Sequence, residues 1–300
     1  MKDFFRKLFG GEKPAHIEDI AETAPLTDQQ VQSILQGPSA KYDLPQLIAA
    51  SGQSVGKQRD HNEDSLLALT STLAGYSGSM PFGLYIVADG MGGHQYGEVA
   101  SNAAVRVVAS HVMKKFHSYL FSMKPSQPDE SLQEIMQTAV KDAQRTIQIE
   151  APSSGTTLTA ALVLGNQATI AHVGDSRAYH LHSDGRAEVI TRDHSLVKRL
   201  EELGHISPDE VENYPHRNVL YRALGQGEIL EADVFTITFP PTGYLMLCSD
   251  GLWGVVSDQD MMRMVQESPN LHRACQNMVD AANEAGGPDN ITVVLAQMIG

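Results

Sequence analysis

Short runs of β-branched and apolar residues, separated by Gly and Asp clusters, dominate the chain after residue 54. Runs of this length and composition are typical of strands. The pattern predicts strands at Gly83–Ala88, Thr156–Leu164, Ala168–Val173, Arg177–Leu181, Asp233–Phe239, Tyr244–Cys248 and Asn290–Gln297. Only Gly165, Asn166 and Gln167 separate the second run from the third. A loop this short joins antiparallel strands, because a parallel pair needs a crossover of a dozen residues or more.

Three longer stretches carry a helical period instead. The pattern predicts helices at Gly97–His117, Ser131–Ile149 and Leu271–Ala285. In the first of them, small and β-branched residues recur at four-residue steps, so that one face can pack closely on a sheet. These residues are Ala100, Ala104, Val108 and Val112. Antiparallel strands with separate long helices indicate an α+β layered domain.

The segment before residue 50 has a different composition. Residues 11–49 are polar and acidic, contain four prolines and show no sustained period, apart from one short helical pattern at 27–35. We therefore expect a polar, partly flexible extension over residues 1–49 and a folded domain over residues 50–300. The first ten residues hold four apolar side chains among three basic ones: Phe4, Phe5, Leu8 and Phe9 beside Lys2, Arg6 and Lys7. At helical spacing they could make weak contact with a membrane surface, or pack on the protein itself or fray.

Charge and cysteine content narrow the possible functions. The chain has 22 Lys and Arg against 36 Asp and Glu, which gives a formal net charge of −14. A general nucleic-acid binder needs a basic surface, so we expect no nucleic-acid partner. Cys248 and Cys275 are the only cysteines, too few for a disulfide framework, and they favour a reducing, cytoplasmic compartment.

Four aspartates stand at the ends of predicted strands, next to glycines. They are Asp89, Asp175, Asp250 and Asp289. A single Asp beside Gly is an ordinary turn residue. Four of them, at the ends of apolar strands in a domain with no evident Cys/His ligand set, favour a site of hard oxygen ligands for Mg²⁺ or Mn²⁺.

Six motifs in register carry a family resemblance. In chain order they are Arg59–Asp64 (RDHNED), Asp89–His94 (DGMGGH), Ser154–Thr157 (SGTT), Gly174–Arg177 (GDSR), Ser249–Gly251 (SDG) and Gly287–Asn290 (GPDN). Together they resemble the metal-dependent protein phosphatases, the type 2C serine/threonine phosphatases, in their bacterial form. The resemblance covers about residues 52–298 and identifies residues 50–300 as a catalytic domain. It implies a four-layer α-β-β-α sandwich, in which two stacked antiparallel sheets are flanked by helices.

The same resemblance implies a site with two core Mn²⁺ or Mg²⁺ ions. The catalytic aspartates would be Asp89, Asp250 and Asp289: the first would bridge both ions, and the other two would hold one of them. Gly90 would offer its carbonyl oxygen to an ion. Glu63 would reach a metal through water.

Two further roles come with the family pattern. Asp175, together with Asp250, would form a weaker third metal site. Arg59 would bind the substrate phosphate. A hydroxide that bridges the two core ions would then attack phosphorus directly, without a covalent enzyme intermediate. Cys248 is accordingly expected to be a packed strand residue.

One position departs from the eukaryotic pattern, which places a His directly after the Asp-Gly pair. Here that residue is Met91, which cannot donate a proton. His94, three residues further on, is a candidate general acid; it could also act through water or only order the turn. Residues 192–225 occupy the place of the family's mobile flap, although their charges could equally form a solvated face.

The implied function is the hydrolysis of phosphoserine and phosphothreonine in proteins, which reverses serine/threonine kinase signalling. The substrates would include a serine/threonine kinase. Two alternatives remain at this stage. One is a phosphoprotein-binding pseudoenzyme with the same fold, which the retained aspartates disfavour. The other is a specialised phosphatase that acts on a sporulation- or stress-type regulator.

Overall fold

The computed structural model describes residues 45–75, 78–92, 96–122, 128–207, 210, 214, 218–227 and 230–300. The strands are β1 (Gln46–Ser54), β2 (Asp64–Gly75), β3 (Gly78–Met91), β4 (Gly155–Thr156), β5 (Leu158–Leu164), β6 (Gln167–Val173), β7 (Arg177–Leu181), β8 (Ala187–Val189), β9 (Asp233–Thr238), β10 (Tyr244–Cys248) and β11 (Ile291–Ile299). The helices are α1 (Tyr96–Phe121), α2 (Leu132–Glu150), α3 (Leu196–Glu202), α4 (Asp250–Trp253), α5 (Asp258–Glu267) and α6 (Leu271–Glu284). In the described ranges, no helix is both long and apolar enough to cross a membrane.

The strands form two antiparallel sheets. The first has the order β1-β11-β10-β7-β8, and the second has the order β2-β3-β5-β6-β9, with β4 paired to the end of β3. Every strand pairing is antiparallel. The short loops between the predicted strands therefore form antiparallel connections, as expected.

Alternate residues of the central strands enter different cores. In β3, Leu84 and Ile86 pack with α1 and α2, while Tyr85 and Val87 pack against the other sheet. This follows from the two-residue period of a strand. A third core lies between the first sheet and the helices α5 and α6. The layers are thus helix, sheet, sheet and helix, which confirms the predicted α-β-β-α sandwich.

The three long predicted helices and most of the predicted strands are present, within a few residues of their expected ends. The four residues spaced by four in α1 are buried in the core beneath the second sheet: Ala100, Ala104, Val108 and Val112. The capping box at Ser131 and Glu134 fixes the start of α2. The short helix expected at 27–35 lies outside the described residues.

Three strands were not predicted from the pattern: β1, β2 and β8. The sequence of β2 is rich in Leu, Ala and Ser, and only its full-length pairing with β3 makes it a strand. β1 begins at Gln46, so the expected boundary at residue 49 cuts through it. Its pairing with the edge of β11 is what extends the first sheet to this segment.

We expect two truncations to show that β1 contributes to stability and that the extension before it does not. Removal of residues 1–45 keeps β1, so the unfolding temperature and the implied activity should stay close to those of the full chain. Removal of residues 1–49 deletes the pairs of Gln46, Leu47, Ile48 and Ala49 with β11 and the buried side chain of Leu47. That burial alone stabilises the fold by about 1.5–3 kcal/mol. Thermal unfolding of both truncated proteins tests this, and equal losses in the two would contradict it.

Candidate metal centre

Asp89 lies near the end of β3, where the main chain is held by the Ser154–Thr157 motif. The Asp89 amide donates to Thr157 Oγ1 at 2.9 Å, and the Thr157 amide donates to the Asp89 carbonyl at 2.8 Å. The Thr156 hydroxyl donates to the same carbonyl at 2.9 Å. The hydroxyl of Thr157 also shares a hydrogen bond of 2.7 Å with the hydroxyl of Ser176, which belongs to the Gly174–Arg177 motif. Three of the six motifs therefore meet at one strand end.

Gly90 is required by the close approach of neighbouring chain segments. A Cβ at this position would lie 2.2 Å from the carbonyl oxygen of Gly97 and 2.7 Å from that of Glu63. The Gly90 amide donates to the Glu63 carbonyl at 3.2 Å. Any side chain here would separate Asp89 from Glu63, so only glycine allows both to line one site.

Asp250 and Asp289 come from the first sheet. Asp250 begins α4 directly after β10, and Asp289 precedes β11. Between them, a Cβ on Gly251 would lie 2.0 Å from the Asn290 carbonyl, so this glycine brings the two turns together. The motifs around both aspartates are thereby packed against each other at one edge of the sheet.

The side chain of Asn290 attaches the loop of residues 55–63 to this edge. Its Oδ1 accepts from the Glu63 amide at 2.8 Å, and its Nδ2 donates to the carbonyls of Val55 at 2.8 Å and His61 at 3.0 Å. The loop carries Arg59, whose guanidinium donates to Asp289 Oδ2 at 2.7 Å. The Arg59 side chain is 46% exposed, so it can reach an incoming anion from the site rim.

Asp64 is a site residue that the sequence reasoning did not assign. It pairs with Asp89 across β2 and β3, and its Oδ2 accepts from the hydroxyls of Ser249 at 2.8 Å and Thr292 at 2.6 Å. These bonds join the second sheet to the first. Its place at the end of the Arg59–Asp64 motif was the available signal, but only the strand register shows that it faces Asp89.

The carboxylates of the site perturb one another. Burial, followed by the charges of Asp64 and Asp250, holds the pKa of Asp89 well above its ordinary value. Burial also raises the pKa of Asp64 to about 7, although its two hydroxyl partners oppose the shift. The pKa of Asp175 is raised by burial and then by the charge of Asp250. A buried set of like charges with few cations requires either protons or metal ions.

The donor set fits hard divalent cations. Among the described residues, the buried Oδ1 of Asp64 and Oε1 of Glu63 have no hydrogen-bond partner, although His61 Nε2 lies 3.5 Å from the latter. All the side-chain donors are oxygens, as Mg²⁺ and Mn²⁺ prefer. In the described part of the chain, no three of these carboxylates have their oxygens all within 4.8 Å of one another. The carboxylates are therefore not drawn together around one point in the metal-free protein, as their mutual repulsion leads one to expect.

A cleft of about 840 Å³ opens beside the carboxylates, and Arg59, Asp175, Asp250 and Asp289 line it. Its far wall comes from α3 of the 192–225 segment. The charged side chains of this segment pair with one another: Lys198 with Glu201 at 2.8 Å, and Glu202 with Arg199 of the same helix and with Arg192 before it. This agrees with a solvated face.

Asp193 at the base of this segment is tied to the site by an ion pair. Arg177 donates to both Asp193 oxygens, at 2.8–3.2 Å, and its guanidinium carbon lies 3.5 Å from the centre of the Trp253 ring. Trp253 Nε1 in turn donates to the Asp175 carbonyl at 3.0 Å. The position of Asp175 therefore depends on the segment that covers the cleft.

Two other predicted residues have different outcomes. Cys248 is fully buried in β10, and burial raises the pKa of its thiol, so it has the packed position expected of it. His94 lies outside the described residues, and its part in proton transfer stays a prediction. Met91 is half-buried at the end of β3, and its sulfur atom lies 3.8 Å from Nε2 of Gln226.

Comparison with known proteins adds a family match. The family profile described as "Protein phosphatase 2C" matches residues 51–295. The chain is 36% identical over 248 residues to the serine/threonine phosphatase stp of Listeria innocua, covering 81% of this chain and 92% of that protein. It is 34% identical over 250 residues to the serine/threonine protein phosphatase PstP of Mycobacterium tuberculosis, covering 81% of this chain and 43% of that longer protein.

Solved structures show the same similarity. The crystal structure of M. tuberculosis PstP/Ppp at 1.95 Å has a TM-score of 0.68 at 32% identity and covers 85% of this chain and 99% of that one. The PstP catalytic domain in complex with two manganese ions has a TM-score of 0.67 at 32% identity, with the same coverage.

The metal-free protein should lose stability as pH rises from about 4 to about 7. Asp64 titrates near 3.8 when unfolded and near 7 when folded, so the folded state holds more protons in this range. Asp89 and Asp175 are shifted in the same direction. Urea unfolding in the presence of a chelator measures the slope. Asp64→Asn should flatten it, and a chelated wild type that gains stability over this range would contradict the assignment.

Proposed function

The chain belongs to the protein phosphatase 2C family of metal-dependent serine/threonine phosphatases, and we propose that Asp89, Asp250 and Asp289 are the residues that hold its two catalytic ions. Its activity is the hydrolysis of phosphoserine and phosphothreonine in proteins, with Mn²⁺ or Mg²⁺ as cofactor. The observation that supports the residue assignment is that the two sheets bring Asp89, Asp250 and Asp289 together with Asp64 and Asp175 in one cluster made entirely of oxygen donors, in which burial and the neighbouring carboxylates raise the pKa of Asp89.

Each residue has a part that follows from its position. Asp89 feels the charges of Asp64, Asp250, Asp175 and Asp289, and this central position among the carboxylates suits an oxygen ligand shared between two ions. Gly90 would add its carbonyl, and Glu63 would bind through water. Asp175 with Asp250 would form the weaker third site. When bound, two divalent ions supply an activated water and withdraw charge from the phosphoryl oxygens.

Arg59 would recognise the phosphate. Burial disfavours its charge, but the hydrogen bond to Asp289 and the charges around it outweigh that effect, so its pKa is raised and it stays cationic. A guanidinium offers two parallel donors to phosphate oxygens. A cation held by Asp289 would compete with Arg59 for the charge of this carboxylate, and the half-exposed guanidinium could then turn toward the substrate phosphate.

Cys248 is not among the residues that line this cleft, so its thiol is not placed as a nucleophile there. Cys248 is buried on the opposite face of β10, in the core against α5 and α6. Water activated by the two ions would be the attacking group, as the family resemblance implies, and the leaving serine or threonine oxygen must receive a proton. Met91 cannot supply it. We assign that role to His94 or to water in the site, because no other donor is part of the motif.

The cellular setting is also a proposal. The two cysteines are free and buried, which suits a reducing cytoplasm. A serine/threonine kinase among the substrates is supported by the activity alone. Weak membrane contact through residues 1–10 is supported only by their apolar and basic composition, and these residues lie outside the described part of the chain.

Asp250→Asn should abolish turnover and leave the fold intact. Asn keeps the shape and one oxygen but removes a negative charge from the ligand set. Wild type should gain about 2.7 kcal/mol of stability when Mn²⁺ is present at 100 times its dissociation constant, and the variant should gain much less. Phosphatase assays and thermal unfolding, each with and without Mn²⁺, measure both effects. Asp280→Asn, an exposed change on α6, is the matched control. Normal activity in Asp250→Asn would refute the assignment.

Arg59→Ala should raise KM clearly for a phosphopeptide, with a smaller loss in kcat. Arg59→Lys should recover only part of the loss, because Lys supplies charge without the two parallel donors. Mn²⁺ affinity should change little, which separates phosphate binding from metal binding. Arg106→Ala, at an exposed arginine on α1, controls for loss of positive charge. Kinetics of Arg59→Ala that match wild type would remove this residue from the site.

A further inference from the structure

A second group of metal-binding side chains lies on the hairpin of β7 and β8, away from the carboxylate cluster. His180 and His182 are two residues apart, and Glu188 stands directly opposite His180 in the strand register. Side chains two apart in a strand, and directly paired across two strands, share one face. The hairpin therefore brings two imidazoles and one carboxylate together at the edge of the first sheet.

The geometry of this group is compact. One nitrogen of each ring and one oxygen of Glu188 lie within 4.8 Å of one another. Within the described ranges, it is the one group of three or more His, Cys, Asp or Glu residues that does so. Nε2 of His182 is 3.0 Å from the Glu188 Oε2. Four ligands at 2.0–2.1 Å around a zinc ion would stand about 3.4 Å apart, so small side-chain rotations suffice.

His180 gives the group an unsatisfied ligand atom. Its Nε2 is buried and has no hydrogen-bond partner among the described residues. Its ring is stacked on that of His182, with centroids 3.6 Å apart and planes 28° apart. A buried ring nitrogen without a partner is unusual in a native protein. A metal ion in the plane of the His180 ring, on the lone pair of this nitrogen, would satisfy it.

The protonation state also suits a ligand. Burial, and then the neighbouring His182, lower the pKa of His180, against the effects of the Thr242 backbone and Glu188. Arg186 is the nearby cation, and its charge is shared with Asp184, to which it donates at 2.9 Å. The neutral imidazole is the form that binds metal.

We propose that His180, His182 and Glu188 form a zinc site, with a fourth position open to water. Two imidazoles and a carboxylate are a known zinc ligand set, whereas Mg²⁺ and Mn²⁺ prefer oxygen donors. The ion would replace the proton shared by His182 and Glu188. It would join β7 to β8 at the exposed edge of the first sheet.

The site is separate from the proposed catalytic centre. Arg177, which contacts Asp193 at the cleft, begins β7, and His180 follows three residues later, about 10 Å along the strand. Zinc binding at the hairpin is therefore measurable independently of the phosphatase reaction. The proposal does not depend on the roles assigned to the aspartates.

Zinc uptake by the full chain tests the proposal. The proteins would be dialysed against buffered Zn²⁺ and the bound metal counted, in wild type, His182→Ala, Glu188→Gln and the control His272→Ala, an exposed His on α6. Zinc bound at the carboxylate cluster contributes equally to all four. We expect His182→Ala to hold one equivalent less than wild type, and the control to hold the wild-type amount. The Glu188 side chain is 66% exposed, so Glu188→Gln should leave the fold unchanged while it removes the charged ligand.

Two results decide the outcome. In a competition assay with a chromophoric chelator, His182→Ala should weaken the hairpin site by more than about 100-fold, since loss of a ligand exceeds the 10–100-fold effect of an outer-shell change. Its Mn²⁺-dependent phosphatase activity should stay at the wild-type level. Equal zinc content in wild type, His182→Ala and Glu188→Gln would overturn the proposal and leave the rings as a stacked, neutral pair.

Discussion

The repulsion among buried carboxylates is the constraint on which the rest of the site depends. Two carboxylates about 4 Å apart repel by about 4 kcal/mol at an effective dielectric of 20, and Asp89 is surrounded by Asp64, Asp250, Asp175 and Asp289. A fold that holds these charges together must supply cations at neutral pH or accept protons. Burial, followed by these neighbouring charges, raises the pKa of Asp89 in the metal-free protein. Metal binding resolves it, which couples stability, pH and activity at one place.

Neutral polar groups keep the repelling residues in position. Thr157 holds the main chain of Asp89, and Asn290 holds the loop that carries Glu63. Ser249 and Thr292 bind Asp64 across the gap between the two sheets. The bonds of Thr157 and Asn290 are made to main-chain groups, so they do not depend on the charge state of the proposed catalytic carboxylates. The frame of the site can therefore persist in the metal-free protein, ready for ion binding.

The two proposed metal centres differ in donor chemistry and hence in selectivity. Oxygen ligands between the sheets favour Mn²⁺ or Mg²⁺, whereas the imidazoles of His180 and His182 favour zinc. Which first-row metal occupies a site depends on the ligand type as well as on metal availability. Sites with different donors would therefore let one chain hold Mn²⁺ or Mg²⁺ and zinc at the same time, without exchange between the sites. A zinc ion at the hairpin would also hold the outer end of β7, whose other end bears Arg177. That strand links the edge of the sheet to the cleft.

The sequence by itself determined the layered α+β class, most of the strands and the order of the six motifs. It did so because these features depend on local periodicity and on residue types at fixed positions, as in the buried face of α1. It also pointed to oxygen-ligated divalent ions, since Asp residues at strand ends were enough for that. Only the tertiary structure determined that β2 is a strand, because it becomes one through its pairing with β3. The same register placed Asp64 opposite Asp89, and the β7–β8 pairing brought Glu188 to the two histidines. Contacts between residues distant in the chain depend on register, and register is set by the packing of whole sheets.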